Sequence, residues 1–296
     1  MTENSLLVKL RSLRELPTLP AVLVPLLRHL EKPQESQDMQ EIVRLIAQDK
    51  SLAARCLQIA NSPLYGASRE IESIQAAVIA LGLTKIQEIA VSCSLLKLLP
   101  NIWFEVSPSM FWAHSLGCAL VAREFAGKIG FPDVSKAYAA GLLHDVGIVG
   151  LLWAAPEEFR CAVRLAQSSR IPLNQAELQT FGITHVDAGA VLGQSWHLPA
   201  ELVEVMAYHH EPQKAVHNAA LVSIVSVSDL LCRVSGIGYG LPEDRQTNFL
   251  EEPGFALLHA QFPALLPFDW ARFTFEMEGV IEEVYSTVNQ VYGAVQ

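Results

Sequence analysis

Nine histidines occur in this chain of 296 residues. Five of them form a series with two aspartates: His114, His144-Asp145, His185, His209-His210 and Asp229. Imidazole with carboxylate and no thiolate is ligand chemistry for iron, manganese or zinc, and no cysteine is expected near the set, which argues against a structural zinc knot. Each of the seven falls within or at the edge of a stretch with helical periodicity. A helix offers only one or two ligands in a given direction, so seven ligands require at least four helices facing one centre. On a helix of 3.6 residues per turn His144 and Asp145 are expected to diverge by about 100°. A carboxylate so placed can bridge two ions while its neighbouring imidazole binds one. This predicts a two-metal centre with ions ~3.5–4 Å apart, as in binuclear hydrolases. The remaining histidines, His29, His197, His217 and His259, fit no ligand position and are expected at the surface or at helix ends.

Helical periodicity dominates the elements that must position these residues, and few stretches alternate at period two. The expected class is all-α. Helices are predicted over 21–30, 39–48, 51–60, 71–81 and 84–99, with Asn61 as a C-cap, Gly82 ending one helix, and Thr84 with Gln87 forming a capping box for the next. A Pro-containing break at 100–108 places a lobe boundary near residue 105. Beyond it, helices are expected over 110–130, 134–149, 156–168, 174–181, 184–196, 199–209 and 218–235, with a final amphipathic helix over 270–292. Phe104, Phe111, Trp112 and Phe125 read as core. The run Gly236-Ile-Gly238-Tyr-Gly240 follows a helix and no strand, so it reads as a loop or helix stop, not a nucleotide fingerprint.

Composition narrows the function classes. Hydrophobic residues make up 51% and charged residues 18%, which excludes a disordered chain. Twenty-one Lys and Arg against 31 Asp and Glu leave a net charge of −10, and this argues against nucleic acid as a partner. Five cysteines, odd in number and without a C-x-x-C pair, are expected to be reduced thiols filling the core of a cytoplasmic protein. The first residues show no secretory leader, and no uncharged stretch suits a membrane span, so neither export nor a membrane partner is expected.

The stretch Ala-Gly-Leu-Leu-His144-Asp145-Val-Gly resembles the signature of the HD superfamily of metal-dependent phosphohydrolases. The earlier half is similar to HDOD domains in Leu16-Pro-Thr-Leu-Pro20, Ile46-Ala-Gln-Asp49, Ile59-Ala-Asn61-Ser62-Pro63-Leu64-Tyr65-Gly66 and Ile74-Gln-Ala-Ala77 through Leu81-Gly82. This resemblance implies an HDOD domain over residues 15–235: an N-terminal helical lobe to about 105 packed on an HD-like metal-binding core over 106–235. Residues 236–296 form a C-terminal helical extension. Many HDOD proteins lack metal ligands and are regulatory modules, whereas the related HD-GYP proteins are cyclic-dinucleotide phosphodiesterases. Here His114, His144, Asp145, His185, His209, His210 and Asp229 occupy all seven binuclear positions of the HD-GYP pattern. The implied cofactor is two divalent ions, iron or manganese first, with zinc or nickel as alternatives.

Two departures weaken the phosphodiesterase expectation. Ile148 stands where HD-GYP enzymes carry a lysine, and Pro212-Gln-Lys-Ala-Val216 replaces their Gly-Tyr-Pro loop. Met110 stands where a three-metal subtype has glutamate, so a third ion is not expected. The resemblance therefore implies first a bacterial HDOD-type regulatory protein acting on signalling partners, with a small phosphorylated molecule as a further ligand. The alternatives are a metal-dependent phosphohydrolase, in which Asp145 is the catalytic ligand, and a di-iron sensor.

Overall fold

In the computed structural model the described residues are 5–12, 20–30, 37–66, 69–99, 106–241, 248, 251–262, 265 and 268–292. They form helices and connecting turns, with no strand among them. The motif at residues 16–19, the boundary near 105, Phe104 and the charged run at 243–245 lie outside the described residues.

The first helices are α1 (Ser5–Ser12), α2 (Leu23–Leu30), α3 (Met39–Ala47), α4 (Lys50–Ala60), α5 (Ile74–Leu81) and α6 (Leu83–Leu95). Aspartate and serine side chains start several of them by accepting the unpaired N–H groups of the first turn: Asp38 for α3, Asp49 for α4 and Ser73 for α5. Asn61 caps α4 as expected, and its amide also exchanges two hydrogen bonds with the backbone of Ile71, tying α4 to the approach to α5. The expected capping box at Thr84 is absent. Gly82, at φ +87°, both ends α5 and starts α6, and Gln87 is buried inside the fold, away from the helix start.

The central helices are α7 (Pro108–Ile129), α8 (Val134–Leu143), α9 (Val146–Ala154), α10 (Pro156–Ser169), α11 (Leu173–Phe181), α12 (His185–Ser195), α13 (Ala200–Tyr208) and α14 (Ala219–Val234). Helix α7 is the axis, and it packs on α8 and α14. Phe111, Trp112 and Phe125 are fully buried along it. The helix expected over 134–149 is two helices: His144 and Asp145 form a turn between α8 and α9, with Asp145 at φ −99° and ψ 13°. That turn lets two adjacent side chains aim at one point instead of diverging. Residues 134–154 are apolar and long enough for a membrane span by length, but 94% of the best window is buried inside the fold, so they form a core helix pair.

Two contacts cross the expected divisions. Helix α1 packs on α9 and α12, where Leu10 is fully buried. The last helices are α15 (Pro253–Gln261), packed on α14, and α16 (Trp270–Tyr292), which touches α7, α4 and the short turn at Pro63–Tyr65. Phe273, Met277, Ile281, Val284 and Val288 form the buried stripe of α16 at helical spacing.

Candidate metal centre

Five helices or turns bring the seven expected ligands to one place. His114 comes from the first half of α7, His144 and Asp145 from the α8–α9 turn, His185 from the first position of α12, His209 and His210 from the end of α13, and Asp229 from α14. All except His210 are buried to 3% exposure or less, and the His210 side chain is 22% exposed.

Asp145 organises the centre. Its Oδ2 lies 3.2 Å from His144 Nε2 and 3.5 Å from His114 Nε2, while its Oδ1 lies 3.2 Å from both His185 Nε2 and His209 Nε2. Each oxygen therefore faces a different pair of imidazoles. Asp229 Oδ1 is 3.3 Å from His114 Nε2, on the Oδ2 side. Two donor groups result, each with ligand atoms within 4.8 Å of one another: His114, Cys118, His144 and Asp229 in one, Asp145, His185, His209 and His210 in the other.

The outer nitrogens set the tautomers. Nδ1 of His114 donates to Ile237 O at 2.8 Å, that of His144 to Gly141 O at 2.7 Å, that of His209 to Val205 O at 3.1 Å, and that of His185 to a Glu177 carboxylate oxygen at 2.7 Å. In its neutral form, with Nδ1 carrying the proton, each ring turns its Nε2 lone pair inward, which is the form a metal binds. Glu177 is itself fully buried in α11 and also accepts the backbone N–H of His185 at 2.8 Å. One carboxylate thus holds both the ring and the helix start that carries it.

The centre is incomplete as protein alone. His144 Nε2, Asp145 Oδ1 and His209 Nε2 are buried without a hydrogen-bond partner. His185 Nε2 and His210 Nε2 meet at 3.0 Å, a distance that two lone pairs do not tolerate without a proton or a cation between them. Orphaned buried acceptors cost about 1–3 kcal/mol each. Divalent cations would satisfy such acceptors, so the residues fit a metal.

Without a metal, the surrounding carboxylates favour the protonated form of two of these rings, and a bound metal would displace that proton. Burial lowers the His114 imidazole, but Asp145 and Asp229 outweigh it and raise it to about 10. Burial likewise opposes charge on His185, and Glu177 and Asp145 hold it well above its ordinary value. His210 is pushed well down by burial and by the imidazoles of His209 and His185. Burial raises the Asp145 carboxyl, yet His144 and His185 keep it well below the usual carboxylate range.

Several residues outside the expected set belong to the site. Cys118 lies against His114, contrary to the expectation that no cysteine is near; the i, i+4 spacing on one helix was the available signal. The glycine run is more than a helix stop. Its Ile237 carbonyl holds His114, and Tyr239 OH donates to Asp145 Oδ2 at 2.5 Å. Arg233, one turn after Asp229, reaches that carboxylate with Nε at 3.1 Å and Nη2 at 3.1 Å. Of the other histidines, His197, His217 and His259 are exposed, whereas His29 is buried in the last turn of α2, 3.2 Å from Glu41.

A cavity of about 440 Å³ opens over the centre, with Asp145, His185, His210 and Asp229 on one side and Asn174, Arg233 and Tyr239 among its walls. Ile148 is fully buried in α9 and contributes nothing to it.

An all-helical core with a buried His/Asp cluster able to hold metal defines the class. Residues 16–212 match the HDOD domain, and the chain belongs to the HDOD family. It is similar to an HDOD domain protein of unknown function from Geobacter sulfurreducens, at 30% identity and a TM-score of 0.82 over 97% of this chain and 98% of that one. A Shewanella amazonensis SB2B structure provisionally named a phosphohydrolase shares the fold at 20% identity, with a TM-score of 0.73 over 98% and 99% of the two chains. An uncharacterised protein of Treponema pallidum (strain Nichols) is 26% identical over 221 residues, which span 74% of this chain and 42% of that protein.

Proposed function

We propose that this chain is an HDOD signalling module that holds two divalent ions and binds a small phosphorylated molecule over them, acting through partner proteins and not as an efficient cyclic-dinucleotide phosphodiesterase. The observation that carries this reading is the cavity itself: metal-ligating side chains form its inner side and Arg233 stands at its wall. Bound there, the ions supply neutralisation of phosphate charge and polarisation of a water. The chain's own residues bind and orient. Asp145 faces both donor groups, Tyr239 fixes its Oδ2, and Glu177 and the Ile237 carbonyl hold two of the imidazoles.

What argues against a phosphodiesterase is the buried, uncharged Ile148 and the segment after His210, where the short turn Pro212–Lys214 pairs Lys214 with Glu211 at 2.7 Å. Loss of one preorganised charge from a phosphoryl-transfer site commonly costs ~10²–10³ in rate. Hydrolysis of a smaller phosphate ester is the second reading, favoured by the two-sided placement of Asp145.

Elemental analysis of purified protein, followed by incubation of iron- or manganese-loaded chain with cyclic di-GMP and with an aryl phosphodiester, tests both. Two ions per chain and little or no turnover of cyclic di-GMP are expected. Turnover at or above ~1 s⁻¹, abolished by Asp145→Ala, reverses the ranking in favour of the phosphodiesterase.

A further inference from the structure

We propose that Tyr285 on α16 is a positioning residue for the metal centre, acting through the loop 236–240, and that it governs the ion at His114, His144 and Asp229 but not the ion at His185, His209 and His210. The inference rests on the two-ion reading above. It adds to the centre a part of the chain that lies beyond residues 16–212, the stretch that matches the HDOD domain.

The loop reaches the centre at two atoms, both on one side. Ile237 O accepts the Nδ1 proton of His114 at 2.8 Å, and Tyr239 OH donates at 2.5 Å to Asp145 Oδ2, the oxygen that faces His114 and His144. The same loop is tied to the end of the helix that bears Asp229, where Ile237 N donates to Cys232 O at 2.8 Å. The other donor group takes its outer bonds elsewhere, His185 from Glu177 on α11 and His209 from Val205 O on α13. One half of the centre is therefore aligned by this loop, and the other half by α11 and α13.

The loop is held between α7 and α16. Ile237 is fully buried against α7, so close that a Cβ at Gly117 would stand 3.3 Å from its side chain. On the other side Tyr285 OH donates to Gly236 O at 2.7 Å, across 49 residues of sequence. Gly236 leaves the helical path at φ +88°, a conformation glycine adopts without strain. Helix α16 is in turn pinned to α4 and the turn after it: the Thr287 and Ser62 hydroxyls lie 3.1 Å apart, and Gln58 Nε2 donates to Gln290 O at 2.7 Å. The competing account makes the Tyr285 bond a tie that serves the fold alone. Such a tie would lower the melting temperature and leave both metal affinities unchanged, or weaken both together.

The test uses the full chain stripped with chelator and titrated with manganese(II), with bound metal counted by dialysis and read by electron paramagnetic resonance. Two ions are expected in the unsubstituted chain. Tyr285→Phe removes one hydroxyl from a side chain already 42% exposed, so the fold is expected to survive. It should raise one of the two dissociation constants about fivefold, the size of one hydrogen bond, and leave the other unchanged. Tyr239→Phe, which loses the bond to the ligand itself, should raise one constant ~10–100-fold, and Glu177→Gln should raise the other by as much. At manganese concentrations that just fill both sites of the unsubstituted chain, Tyr239→Phe should give the hyperfine-split signal of a single ion in place of the broadened signal of a coupled pair. Added to Glu177→Gln, Tyr285→Phe should raise the constant that Glu177→Gln leaves untouched. Two bound ions with both constants unchanged in Tyr285→Phe, or both raised together, overturn this inference and leave the binuclear reading intact. An effect of Tyr285→Phe on the constant that Glu177→Gln raises overturns the assignment to the His114 side. An unsubstituted chain that takes up no second ion overturns both readings.

Discussion

Glu88 on α6 and Asp145 between α8 and α9 are carboxylates of nearly equal burial, 1% and 3% exposed. Burial raises both. At Glu88 the answer is one permanent cation: Arg123 on α7 contacts it at 2.6 Å, and the carboxyl still ends above its ordinary value. At Asp145 the neighbours are imidazoles, His144 and His185 first, that take it well below the carboxylate range, while the inner nitrogens of His144 and His209 stay unpartnered. The first cluster closes with protein atoms and stitches α6 to α7, helped by Tyr138, whose hydroxyl donates to the Glu88 carbonyl at 3.3 Å. The second is left able to bind a cation from outside. Equal desolvation thus accompanies a structural joint in one region and a cluster able to bind metal in the other, according to whether the opposing charge is built in.

The largest effect that separates the two is metal removal. An ion at a thousand times its Kd stabilises the native state by about 4 kcal/mol. Chelation should therefore lower the melting temperature of the native chain, and Asp145→Ala, which removes the group facing both sites, should erase the gap between loaded and stripped protein. A gap unchanged by Asp145→Ala breaks the comparison. Next in size is Arg123→Met, which strands Glu88 and should cost about 3 kcal/mol in urea unfolding, at the low end of the range for breaking a buried pair because the Arg123 side chain is 22% exposed. That loss should be the same with and without metal; a loss that appears only after chelation would mean the two clusters are one.

The smallest effect comes from a carboxylate that is neither stranded nor buried. Glu204 accepts backbone N–H groups of Val216, His217 and Asn218 and the Asn218 side chain, at 2.6–2.9 Å, and so fixes the start of α14, the helix that carries Asp229. Burial alone would raise it, but these bonds, His217's first, lower it. A carboxyl lowered in the folded state stabilises above its unfolded value, near 4.3, and loses that contribution as pH falls through the folded value. Native chain and Glu204→Ala should differ by about 1 kcal/mol at pH 7 and converge once the pH has fallen below the folded value of Glu204. A difference that persists in acid sinks the electrostatic account.

What could be read from residue order tracks what leaves a side-chain signature. Helix α16 begins and ends where periodicity places it, because its buried stripe and its charged face alternate cleanly. The seven candidate ligands were legible by type and order, and the fold brings them together. The break at His144-Asp145 was not: Leu142, Leu143, Val146 and Ile148 continue an apolar pattern across it with no proline or glycine at the turn itself. Most of the residues behind the ligands were hidden for a related reason. Glu177 looks like an ordinary helix-surface charge until α12 covers it, and the carbonyls of Gly141, Val205 and Ile237 belong to the backbone, which residue identity does not report.

Gly147 carries a lesson about inheritance. A Cβ at that position would stand 1.8 Å from the backbone oxygen of His185 and 2.6 Å from Gly189 N, so α9 and α12 touch backbone to backbone there. The glycine that follows His-Asp in the signature therefore answers to helix spacing and not to metal. A descendant that lost every imidazole but kept this packing would still need it, and would still look like kin by that letter. Glycine at 147 thus reports the packing of the fold; only the histidines and aspartates bear on metal.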